Sequence, residues 1–230
     1  MGLFDWFKKS DTAASTSSSS SPSTTTAPAV TSSAPATESS VPAAPASETP
    51  AAAQLDGTWT LDPSHSSLGF VARHAMVTNV RGTFDEFQGS GVVDTTDLSG
   101  SHATVVMKAA SINTGSEDRD AHLRSADFFD VETYPEVRYT TTSVERVDEE
   151  TFRLDGELTI KDVTRPLSIE LTSTGLAQDP FGNLRAGFEG ETSINRKDWG
   201  LVWNAALETG GVLVSEKIKL VLDISAIKSV

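Results

Sequence analysis

The chain has 230 residues, no cysteine, and 18 basic against 32 acidic side chains, for a net charge of −14. The lack of cysteine excludes disulfides, thiol chemistry and cysteine-held metals. The acidity argues against nucleic acid as a partner, and no basic patch interleaved with aromatics is present.

In chain order, residues 1–9 come first, with Leu3, Phe4, Trp6 and Phe7 on one side of a short helix and Lys8 and Lys9 at its end. This is the composition of an interfacial anchor, and it predicts peripheral membrane contact. The charges follow the apolar residues, so a secretory signal is not read here. No run is long enough to span a bilayer as a helix. The expected location is the cytoplasm, at the inner face of the cell membrane. Residues 10–54 are almost wholly Ser, Thr, Ala and Pro. They offer no periodic apolar face, and the expectation is a disordered linker. Residues 1–54 hold Lys8 and Lys9 against Asp5, Asp11, Glu38 and Glu48, a net of −2, which leaves −12 on residues 55–230. That remainder is long enough for one sizeable core.

From Thr58 the apolar period is two. Expected strands are Thr58–Leu61, Ser67–His74, Thr83–Thr95, Ala103–Ala109, Glu136–Val144, Phe152–Lys161, Leu167–Thr172, Gly182–Arg196 and Val214–Ile224. Strict alternation means antiparallel strands with one wet face and one buried face. Gly89-Ser90-Gly91 reads as a bulge. The segment from Ser111 to Ser125 reads as a loop leading into a short helix, with Ser116 as its cap and acids in the first turn. About eight strands in succession predict an all-β antiparallel barrel with a short helical insert, because closure removes the edges. A sandwich is the alternative.

Barrels of this size are filled by side chains or hold one small ligand. Inward parity selects Phe70, His74, Met107, Leu158, Ile160, Phe188 and Ile194 as ligand-binding candidates. The aromatics Phe84, Phe128, Phe129 and Trp199 join them, since apolar ligands are held by contact area. His74 is placed to meet a ligand head group or, as the plainer reading, to bond backbone in the core. Glu216 shares the inward parity of the last strand, with a wet rim position as the alternative. No G-x-S-x-G or H-E-x-x-H motif exists, and no catalytic residue is assigned. Asp118, Asp120 and His122 are read as capping and pairing groups around Arg119 and Arg124 rather than metal ligands.

Several ordered motifs resemble one family. Asp62-Pro63-Ser64-His65-Ser66 leads into Phe70-Val71-Ala72-Arg73-His74 and then Gly82-Thr83-Phe84. Ser111-Ile112-Asn113-Thr114-Gly115 is followed by the run from Arg119 to Val131. Gly156 to Leu167 and Ile194-Asn195-Arg196-Lys197-Asp198-Trp199-Gly200 complete the set. Together they resemble YceI domains over roughly Gly57 to Ile227. The resemblance implies a lipocalin-like barrel whose apolar pore holds a long-chain lipid such as a polyisoprenoid or an isoprenoid quinone, with no fixed catalytic set. Family members are often periplasmic, in contrast to the cytoplasmic location expected here. The expected function is binding and sequestering or carrying a long-chain apolar lipid in the pore, a polyisoprenoid, an isoprenoid quinone or a fatty-acid-like chain, with no cofactor beyond that ligand. Two alternatives are a stress-related interaction module with a filled barrel, and an enzyme using the His74 or Asp120–His122 region.

Overall fold

The computed structural model describes residues 54–208 and 211–229, so the expected tip and nearly all of the linker lie outside the described residues. Eleven strands follow one another: β1 (Gly57–Leu61), β2 (Ser67–His74), β3 (Thr78–Phe84), β4 (Phe87–Val93), β5 (His102–Lys108), β6 (Ile112–Asn113), β7 (Glu136–Arg146), β8 (Thr151–Ile160), β9 (Val163–Gln178), β10 (Leu184–Asn195) and β11 (Val214–Lys228). One helix, α1 (Glu117–Arg124), stands between β6 and β7.

Every ladder is antiparallel, and the ring closes where Trp59, Thr60 and Leu61 of β1 pair with Lys228, Ile227 and Ala226 of β11. The eleven pieces occupy eight positions. β1 and β2 form one kinked strand along β11, since β11 pairs with β1 at its end and with β2 before that. β3 and β4 form the next, β5 and β6 the one after. The result is a closed eight-position meander, as the alternation predicted.

Each kink has a local cause. Pro63 has no N–H to give a ladder and opens a 3₁₀ turn capped by Asp62, which accepts from Ser64 N at 3.0 Å. The ladder is carried across by Asp62 N to Ser225 O and Ser225 N to Ser66 Oγ. At the second kink Asp85 N reaches Ser111 O, and Glu86 N reaches Ser111 Oγ.

The structure corrects the sequence reading in three places. The expected strand Thr83–Thr95 is β4 together with the last two residues of β3, which begins at Thr78 and pairs with β2. The Gly89-Ser90-Gly91 stretch is regular ladder, not a bulge. These glycines are there for close approach, because a Cβ at Gly91 would lie 3.0 Å from His102 O and one at Gly89 3.1 Å from Thr104 O. The bulges lie instead at Thr141–Ser143 of β7, at Thr174 of β9 opposite Gly187–Phe188, and between Val214 and Ile218 of β11. Ser116 is the N-cap of α1 by position only, with no side-chain bond to the helix.

Candidate functional site: an apolar cavity inside the barrel

The inward faces enclose a cavity of about 350 Å³. Its wall draws on every barrel position. At one end stand Leu55, Trp59, Val93 and Leu98. In the middle are Leu154, Ile169 and Leu220, and at the α1 end Leu123, Phe128, Phe129 and Leu201. The wall is lined almost wholly by apolar side chains, so what it favours is apolar chain rather than water.

Nine of the eleven sequence candidates line this cavity: Phe70, Phe84, Met107, Phe128, Phe129, Leu158, Ile160, Phe188 and Ile194. The aromatics pack on one another. Phe84 meets Phe70 at 6.2 Å and stands edge-on to Phe129 at 5.8 Å, and Phe188 stands edge-on to Phe152 at 6.4 Å. Such pairs fix ring positions and so fix the wall.

Trp199 and His74 lie outside the wall. Trp199 is 4% exposed and donates its indole N–H to Leu158 O at 2.9 Å. β9 and β10 pair only from Leu171 to Gln178, so the two strands splay toward the α1 end. The 3₁₀ turn Arg196–Trp199 packs there, with Arg165 Nε on Asp198 O at 3.3 Å. Pro166 in β9 is tolerated because the side facing β10 makes no ladder bond there. His74 is half-buried at the end of β2, where burial first and the charge of Arg119 second push its pKa down, favouring the neutral imidazole. Glu216 does not face inward; its carboxylate is exposed and meets Lys197 Nζ at 2.5 Å.

The polar groups around α1 are structural clasps. Asp120, 6% exposed, accepts from Thr114 N at 2.9 Å and Thr114 Oγ1 at 2.5 Å. Arg119 donates to Thr114 Oγ1 and Thr114 O, and Arg124 to Ala110 O and Ile112 O. His122 meets Asp127 at 2.9 Å, its ring edge-on to Phe128 and Trp203. These bonds press Leu123, Phe128 and Phe129 over the cavity. Among the described residues no group of three His, Asp or Glu is arranged for a metal.

Sequence reasoning missed three wall segments. Leu55 and Trp59 precede or open the first strand, where too few residues exist to show a period. Leu98 and Ser101 come from the connection before β5, and His102 is the first residue of that strand. Val144 is in the wall only because a bulge shifts the parity of β7, and the bulge of β9 likewise turns Leu176 toward the small core around Trp59.

A family model described as the YceI-like domain matches residues 59–226. The chain belongs to the YceI family. Among curated relatives, a UPF0312 protein of Staphylococcus aureus is 36% identical over 162 residues, 70% of this chain and 92% of its own length. This YceI domain also superposes on solved structures. The Campylobacter jejuni YceI protein shares 26% identity at a TM-score of 0.59, covering 69% of this chain and 90% of that one. BcnA of Burkholderia cenocepacia, at 19% identity and TM-score 0.62, covers 72% and 98%. A polyisoprenoid-binding domain from Saccharophagus degradans, at 18% and 0.57, covers 74% and 98%. The last two speak to the fold of the YceI domain alone.

Proposed function

We propose that this protein binds and carries a long-chain apolar lipid, a polyisoprenoid or isoprenoid quinone, inside the barrel. The observation that carries the reading is the cavity itself, about 350 Å³ with an apolar wall, within the size range of small-molecule sites. Every 100 Å² of chain surface placed against it gains about 2.5 kcal/mol. The Saccharophagus degradans neighbour is described as a polyisoprenoid-binding domain, which agrees with this reading. A filled, purely adhesive barrel has no need of such a space.

The reading is one of binding, not turnover. The polar groups of the wall form no nucleophile–base pair: Ser101 Oγ accepts from Asp94 N, and His102 Nδ1 lies 3.2 Å from Gly100 O. Leu3, Phe4, Trp6 and Phe7 would hold the protein at the cytoplasmic face of a membrane, where its ligand resides.

Native mass spectrometry of protein purified from its own host tests the proposal. A bound mass of a few hundred daltons is expected. Phe188→Asp places a charge in the wall and should give folded protein without that mass, since an ion in apolar surroundings is disfavoured. A wild-type protein that is empty in every preparation would overturn the reading.

A further inference from the structure

The wall of the cavity holds few polar side chains, and nearly all are engaged elsewhere. Tyr139 Oη donates toward Leu154 O and Leu167 O, at 2.9 and 3.2 Å. Ser101 Oγ accepts from Asp94 N at 2.9 Å. Arg196, 3% exposed, lies at the α1 end with its donors on Ser215 O, Leu201 O and Val214 O. Thr141 differs. It is 6% exposed, its side chain belongs to the wall, and its hydroxyl has no hydrogen-bond partner. A buried hydroxyl left unpaired disfavours the empty protein, and native structures keep few of them.

The backbone explains why nothing nearby serves it. Thr141 begins the β7 bulge, and across the ladder stands Gly156, which has no side chain to offer. The tyrosine ring that covers Gly156 has already committed its hydroxyl. The ladder with β5 ends at Thr104–Thr140, one step earlier, and the next β5 residue is Ala103. A turn of about 120° about χ1 carries the hydroxyl to the position that the methyl now holds, from which Oγ1 would meet an oxygen lying along the wall.

We infer that Thr141 is the polar anchor of the cavity and that the ligand is an apolar chain carrying one uncharged oxygen function, an alcohol or a ketone. This rests on the lipid-binding reading above and narrows it. A carboxylate or phosphate head is disfavoured at Thr141, because the only cation in the wall among the described residues is Arg196, with its donors on carbonyls. A neutral oxygen needs one donor, and Thr141 supplies one.

Binding of 1-dodecanol, dodecan-2-one and dodecanoate to the full-length protein tests the inference. The alcohol and ketone should bind about tenfold tighter than dodecanoate, and Thr141→Val should weaken both by about five- to tenfold. The same nearly isosteric change should raise the melting temperature of ligand-free protein, and Thr141→Ser should restore affinity. A hydroxyl with a merely structural partner gives the opposite sign, so a lower melting temperature with unchanged affinity overturns the anchor. Dodecanoate binding as tightly as the alcohol overturns the ligand class and leaves lipid binding standing. If wild-type protein takes up none of the three, the lipid-binding reading itself fails.

Discussion

One arginine holds two carboxylates together on the outside of the barrel. Arg185 Nη1 meets Asp62 Oδ2 at 2.5 Å and its Nε meets Asp179 Oδ2 at 2.9 Å. The bond from Arg185, then that from Ser64, holds Asp62 well below the usual carboxylate range. Asp179 is lowered to about 2, first by the Asn183 side chain and further by backbone N–H groups and Arg185. A carboxylate depressed in the folded state stabilises it fully above its unfolded pKa, and that stabilisation fades as pH falls toward the folded value. The window is therefore from about pH 4 down to about pH 2. Arg185→Met should lower the melting temperature at neutral pH, and the gap from wild type should narrow through that window. Thermal melts between pH 2 and 8 check this; a gap that ignores pH would mean that Arg185 acts through packing of its stem. Asp120 predicts a different signature. Asp120→Ala strands Thr114 N and should cost about 1–3 kcal/mol. It should also loosen the contact of Phe128 and Phe129 with the cavity, so ligand release should quicken along with the loss of stability.

At the scale of elements, the β2–β3 hairpin shows where sequence patterns fail. Its turn is closed by Val77 N to His74 O at 3.0 Å, with Ala75 and Met76 at φ values of 48° and 62°. That backbone ordinarily calls for Asn-Gly, and the residues present carry no such signal, so the strand after it went unseen. Replacing Ala75-Met76 with Asn-Gly should relieve the left-handed strain and remove an exposed methionine. The expected gain is about 1 kcal/mol, read by urea unfolding. A loss instead would show that Met76 makes contacts the folded barrel needs. Elsewhere the alternation was legible because one face is wet: β2 has the bounds expected, and β8 runs Thr151–Ile160 against an expected Phe152–Lys161. β9 continues to Gln178, well beyond the expected Thr172, because the bulge at Thr174 breaks the parity before Leu176 turns inward. The candidate site was legible to the same extent. Residues on uninterrupted strands, such as Phe70, Leu158 and Ile194, were placed in the wall. Thr141 and Val144 were not, since a bulge and a polar side chain hide an inward position from any reading by hydrophobic period.

Closure of the whole barrel depends on very little chain at one end. β1 offers three paired residues to β11, and the short segment before it reinforces that seam. Trp59 Nε1 donates to Leu55 O at 2.7 Å, Lys228 Nζ donates to Gln54 O at 3.0 Å, and Lys228 lies over the Trp59 ring. Leu55, Trp59, Ala186 and Ala226 form a small core of their own there, and Leu55 and Trp59 also end the cavity. A truncation series should therefore have a sharp step. Removing residues 1–53 should leave unfolding free energy within about 0.5 kcal/mol of the full chain. Removing residues 1–56 takes away the buried leucine and strands the tryptophan N–H, and should cost about 3 kcal/mol. The same step should speed release of a bound chain, because the cavity loses the side chain that closes one end. Urea unfolding and the release rate of a fluorescent lipid separate the two effects. Equal stability of the two truncations would mean that Leu55 is not the anchor, and a loss already at residue 53 would mean that the preceding segment packs on the barrel.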